Sequence, residues 1–112
     1  MYAIRLNADG SVLWEKNYGG LMHDGGQAAI INSKGNYVLV ARSMSFGNGD
    51  RNAYMVEVSS SDGTIIQEQV VGGDKNDRID DIIEFNGYYY LVGHSDSDGA
   101  GGNDVYVVKI EI

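Results

Sequence analysis

YVVKIEI at residues 106–112 repeats a pattern that occurs twice earlier in the chain, as YAIRL at 2–6 and YMVEV at 54–58. The leading residues Tyr2, Tyr54 and Tyr106 keep a constant spacing of 52 (2 to 54, 54 to 106). Each opens an alternating apolar segment: Tyr2, Ile4 and Leu6; Tyr54, Val56 and Val58; Tyr106, Val108 and Ile110. A period of two is that of a strand with one apolar face. Arg5, Glu57 and Lys109 fall between these positions, so the opposite face is expected to be at least partly wet.

The match extends through each unit. DGSVLWEKNYGG at 9–20 aligns with DGTIIQEQVVGG at 62–73, each an Asp-Gly turn, a strand and a Gly-Gly break. GQAAIIN at 26–32 aligns with IDDIIEF at 79–85, and GNYVLVARS at 35–43 with GYYYLVGHS at 87–95. Glycine-rich loops, FGNGDRNA and DGAGGNDV, lead into the next Tyr strand. The reading is nine strands and no helix, because no window carries an apolar stripe at helical spacing as well as the strands carry alternation. Units at 2–53 and 54–105, with 106–112 opening a third, make a single all-β domain. It consists of two four-stranded propeller-type blades plus one extra strand.

The pattern W-x-K-x-Y-G-G, then G-x-Y-x-x-x-G/A, then a Gly/Asn/Asp loop into Y-V-V-K, resembles the tandem repeats of bacterial β-propeller proteins. The resemblance covers residues 2–112 and implies a secreted or surface-anchored setting if the chain belongs to a longer protein. Its repeated residues are turn glycines and packing residues, so it implies a fold rather than an activity. The units have drifted: Trp14 is matched by Gln67, Ala41 by Gly93, and Glu57 by Lys109.

Composition excludes several classes. The chain has 112 residues, no cysteine, no proline and 16 glycines, so neither disulfides nor thiolate metal sites hold it together. A net charge of −8 argues against a nucleic-acid partner, which would require a basic face. The charge is uneven: residues 1–53 sum to +1 and residues 54–106 to −9, consistent with one half docking on the other half of a neighbour. No stretch approaches the about 20 apolar residues of a membrane-spanning helix. Met1 leads directly into a strand pattern, without the features of a signal peptide.

Two blades are too few to close a propeller, which takes about four to eight. Three resolutions are open: head-to-tail assembly into a homo-oligomer, a place within a longer array, or two sheets packed as a sandwich. In the first, Tyr2–Leu6 and Tyr106–Ile112 are in the same phase and compete for one slot.

Chemistry is sparse. Asp96, Asp98 and Asp104 in SDSDGAGGND (95–104) suggest a loosely bound calcium ion. The loop pattern fails at its first ligand, His94, and at position twelve, Val105. DKNDRIDD (74–81) gathers carboxylates, with Asp80 and Asp81 expected on opposite faces of a strand. His23 and His94 occupy unrelated positions and lack a zinc spacing. No nucleophile elbow or phosphate loop is present, and the reading is that the chain is not an enzyme and needs no cofactor. Trp14, Tyr88 and Tyr90 are the candidate ligand-binding residues, as stacking platforms for a glycan in a lectin-like alternative; a protein ligand is the other class. Tyr88 and Tyr90 are expected to share the face opposite Tyr89.

Overall fold

The computed structural model describes residues 1–20, 24–44, 52–71, 77–95 and 104–111. Among them are nine strands and no helix: β1 (Tyr2–Leu6), β2 (Val12–Asn17), β3 (Asp24–Ile31), β4 (Tyr37–Ser43), β5 (Asn52–Val58), β6 (Ile65–Val71), β7 (Asp77–Phe85), β8 (Tyr88–Ser95) and β9 (Asp104–Glu111). No helix among the described residues is long and apolar enough to cross a membrane.

The connections follow local turn chemistry. Asp9 and Asp62 each accept a hydrogen bond from the backbone N–H two residues on, at 3.0 and 2.9 Å, ahead of Gly10 and Gly63 at positive φ. The β7–β8 hairpin turns through Asn86 and Gly87, both at positive φ, as a tight two-residue loop requires. Its counterpart between β3 and β4, residues 32–36, is three residues longer and is built on Asn32, whose Oδ1 accepts the N–H groups of Lys34 and Asn36.

The all-β expectation agrees with the structure, but the arrangement of two four-stranded blades plus one strand does not. The strands form antiparallel sheets of two (β1-β2, sheet I), four (β3-β4-β5-β6, sheet II) and three strands (β7-β8-β9, sheet III), none closed on itself. Sheets and sequence repeats are therefore out of phase. The Tyr strand that opens each repeat pairs backwards, β5 with β4 and β9 with β8. The Gly-Gly pairs at 19–20 and 72–73, not the glycine-rich loops, stand between one sheet and the next.

Sheet II lies in the middle of a stack. On one side Val38, Val40, Ala53 and Met55 pack against Ile79, Ile82, Tyr89, Leu91 and Ile110 of sheet III. On the other side Tyr37, Leu39, Ala41, Tyr54, Val56 and Val58 pack against Met1, Ala3, Trp14 and Tyr18 of sheet I. Every residue of β5 is buried as a result. The expectation for the first Tyr strand is corrected here. Tyr2, Ile4 and Leu6 are 56, 46 and 55% exposed, while Ala3 and Arg5 turn toward sheet II. The alternation is real, but nothing among the described residues covers that face.

A bulge lies in the first strand of sheets II and III, between Gly26 and Ala28 and between Ile79 and Asp81. Close approach is confined to the second: Gly26 faces Ala41 with only the Met1 side chain near it, whereas Gly93 faces Ile79 with the β7 backbone against it. A Cβ on Gly93 would clash with the Arg78 carbonyl oxygen and come within 2.8 Å of Ile79 Cα. Gly93→Ala is expected to cost about 1–3 kcal/mol as a lowered urea midpoint, whereas Ala41→Gly costs less than half as much; equal losses would contradict this account of the bulge.

Candidate functional site

Three polar constellations accompany the apolar packing. The first seats sheet I on sheet II. The indole N–H of Trp14 donates to the Ser60 carbonyl at 3.1 Å, the Arg5 guanidinium donates to the same oxygen, and the Tyr18 hydroxyl donates to the Gly63 carbonyl at 2.6 Å. Arg5 also lies over the Tyr37 ring, 5.5 Å from its centre, and Trp14 packs beside that ring at 6.3 Å. Gly63 must be glycine twice over: its φ is positive, and a Cβ would meet Trp14 and the Tyr18 hydroxyl at 2.8 Å.

The second sits between sheets II and III. Glu57 is fully buried and accepts the side-chain amides of Asn32 (2.8 Å), Asn36 (2.9 Å) and Gln67 (2.8 Å). Asn32 Nδ2 also donates to the Tyr89 hydroxyl at 2.9 Å, and Ser33 N–H donates to Glu84 at 2.8 Å, so the cluster ties the two sheets together. Burial pushes the Glu57 carboxyl upward, but the amides of Asn36, Asn32 and Gln67, with the charge of Lys34, outweigh it and hold the group below its ordinary value. Glu57 and Gln67 stand where Arg5 and Trp14 stand one repeat earlier. A donor pair aimed at one carbonyl has become an acceptor surrounded by amides.

The third is on the outer face of sheet III. Tyr88 and Tyr90 are half-buried there with ring centres 6.5 Å apart, and Tyr89 points the other way into the core, as expected. Lys109, across from Tyr90 on β9, places its ammonium 3.9 Å from the centre of Tyr88 and 5.8 Å from that of Tyr90. Nearby, Asp80 accepts Arg78 Nε at 2.9 Å, and His94 Nδ1 lies 2.9 Å from its other oxygen. The bulge leaves Asp80 out of the ladder, and the exposed Asp81 caps the N–H of Ile82 at 2.8 Å.

Trp14 is not brought together with Tyr88 and Tyr90. It is turned inward at one end of the stack, and they face outward at the other. Of the acidic trio, Asp96 and Asp98 lie outside the described residues, as does His23. Asp104 begins β9, opposite Ser95, at the position Asn52 holds one repeat earlier; its buried Oδ2 finds no hydrogen-bond partner among the described residues. Among those residues no three His, Asp or Glu side chains gather as a metal would need.

Sequence reasoning passed over Glu57, although a signal was present. The position that reads Arg5, Glu57 and Lys109 is charged in all three Tyr strands, amid apolar neighbours. A buried charge needs partners, and the Asn- and Gln-bearing turns nearby supply them. Comparisons with protein families, with curated proteins and with solved structures find no match.

A carboxyl whose pKa is lower folded than unfolded adds stability above the unfolded value, about 4.3. That contribution is lost as pH falls through the folded value. Glu57→Gln is expected to cost about 1–3 kcal/mol at pH 7, and its urea midpoint should fall less than the parent's between pH 7 and pH 3. Parallel pH profiles would contradict the assigned role.

Proposed function

We propose that the chain is a non-catalytic module of β-propeller type, with a structural or binding role, that assembles head to tail. The observation that carries this reading is that one packing step occurs twice within the molecule. The face of sheet I bearing Ala3 and Arg5 meets the face of sheet II bearing Tyr54, Val56 and Val58. One repeat later, the face of sheet II bearing Ala53, Met55 and Glu57 meets the face of sheet III bearing Tyr106, Val108 and Ile110.

The outermost faces carry the two halves of the same step, unpaired. Tyr2, Ile4 and Leu6 point outward on sheet I; Val105 and Val107, 80 and 62% exposed, point outward on sheet III. Even the polar detail is in place: the Tyr2 hydroxyl donates to Glu15 just as Tyr54 donates to Glu68 (2.5 Å) inside the stack. Exposed apolar area of this extent, matched in kind at opposite ends, is the feature of a heterologous contact between copies. The acidic balance disfavours nucleic acid as a partner.

A glycan-binding alternative draws on Tyr88 and Tyr90, which face outward, although Lys109 already occupies their upper side. On a glycan array, Tyr88→Ala would abolish any signal that belongs to this platform.

Light scattering tests the main reading. Masses of two, three or four times 12.1 kDa are expected, which at two 52-residue units of sequence per chain gives four, six or eight units. Ile4→Asp should return the sample to a single-chain mass while leaving the circular dichroism of the strands intact. A parent protein that stays at the mass of one chain at millimolar concentration would overturn the proposal.

A further inference from the structure

Sheets I and III are complementary fragments of the sheet that II forms whole. In sheet II the order is β3-β4-β5-β6. By repeat position β1 and β2 correspond to β5 and β6, while β7, β8 and β9 correspond to β3, β4 and β5. Sheet I is thus the second half of a four-stranded sheet and sheet III its first three-quarters, with β1 and β9 filling the same place.

We propose, building on the head-to-tail reading, that a second copy of the chain inserts its β1–β2 hairpin at the edge of β8 in place of β9. The product is a sheet of order β7-β8-β1-β2 built from two molecules. Three observations converge on this occupant. The first is register. Leu39 pairs with Val56 and Ala41 with Tyr54 in sheet II; Leu91 pairs with Val108 and Gly93 with Tyr106 in sheet III. Ile4 and Tyr2 of the incoming strand fall in those places, so their exposed side chains take over the contacts that Val108 and Tyr106 make with sheet II.

The second is the space beside β1. A groove of about 370 Å³ runs between β1 and the uncovered part of sheet II, lined by Tyr2, Ile4, Gln27, Ala29 and Leu39. In the complete step that area is covered by the first two strands of the adjoining sheet, since Ile82 and Leu91 of β7 and β8 pack on sheet II in the same way. The outward residues Ile83 and Val92, 57 and 41% exposed, are the matching surface on another copy. Insertion of the hairpin seats β7 and β8 in this groove.

The third is charge. Arg5 arrives opposite Tyr90 where Lys109 stood, so a cation replaces a cation. The outer edge of β1 has no strand beside it among the described residues, and departure of β9 opens the edge of β8, so the ladder given up by β9 is made again by β1. Simple stacking of sheet I on the outside of sheet III would bury Val105 and Val107 but leave the groove beside β1 empty.

Cysteine cross-linking distinguishes these arrangements, because the native chain has no cysteine. Val92 and Ala3 become direct cross-strand partners in the exchanged sheet, as Val40 and Met55 are in sheet II. An equimolar mixture of full-length Val92→Cys and Ala3→Cys chains, oxidised mildly, should give a disulfide-linked species of twice the single-chain mass. Each variant oxidised alone should yield at least tenfold less. Val107→Asp, on the strand that leaves, should not change the mass by light scattering. An assembly that forms without the mixed disulfide, or that Val107→Asp dissolves, would overturn the exchange and leave head-to-tail association standing. A parent protein of single-chain mass would overturn both.

Discussion

A sheet that is apolar on both sides must be covered on both sides, and the rest of this molecule is arranged around that constraint. Antiparallel sheets commonly keep one face for water. Sheet II does not: alternate residues of β4 and β5 enter two separate cores, Val38, Val40 and Met55 on one side and Leu39, Tyr54 and Val56 on the other. Each such side chain contributes about 1.5–3 kcal/mol when buried, so neither face could be left open without losing much of a small domain's stability. Its neighbours, whose strands carry the same alternation, also have apolar residues on both faces, yet each has only one face covered among the described residues. An open apolar surface at either end of the stack follows from that alternation.

Specificity in the stack comes from the few polar groups buried within it. The charged position at the middle of each Tyr strand is resolved in three ways. Arg5 reaches a backbone carbonyl and a ring face, Glu57 is enclosed by three amides, and Lys109 lies over two tyrosines. For the half-buried Arg5 and the buried Glu57 the arrangement satisfies a group that would otherwise carry a large desolvation penalty, whereas Lys109 is exposed on the outer face of sheet III. The three solutions are not interchangeable, since a donor cannot replace Glu57 among amide N–H groups. The charged position therefore differs from sheet to sheet, while the same pair of faces meets at both contacts between sheets. The two bulges differ likewise: the β7 backbone leaves no room for a Cβ on Gly93, whereas Gly26 has only the Met1 side chain beside it.

The polar groups at the ends of the stack are engaged mainly with one another. Asp80 is held by Arg78 and His94, Tyr2 by Glu15, and Lys109 by Tyr88 and Tyr90. Neighbouring apolar residues such as Ile4, Ile83 and Val107 remain in contact with solvent. These exposed apolar residues are the ones on which the proposed association of copies rests.

The nine strands and the lack of helix among the described residues, and the alternation along each strand, were legible from the residues, because strand period and turn chemistry are local properties. The opposed faces of Tyr88 and Tyr89 followed from the same period. Which strands share a sheet was not legible. Repetition reveals the length of a unit but not its starting point, so β4 and β5, divided by the repeat, proved to be partners within one sheet. Nor could alternation tell which apolar face would be covered: Tyr2, Ile4 and Leu6 read the same as Tyr54, Val56 and Val58, and only the neighbour packed against each set separates them. The inward turn of Trp14 and the amide cage of Glu57 were likewise decided by tertiary structure, since both depend on residues that the chain brings back from more than twenty positions away. Sequence determines what each strand can bury; the order in which sheets meet determines what it does bury.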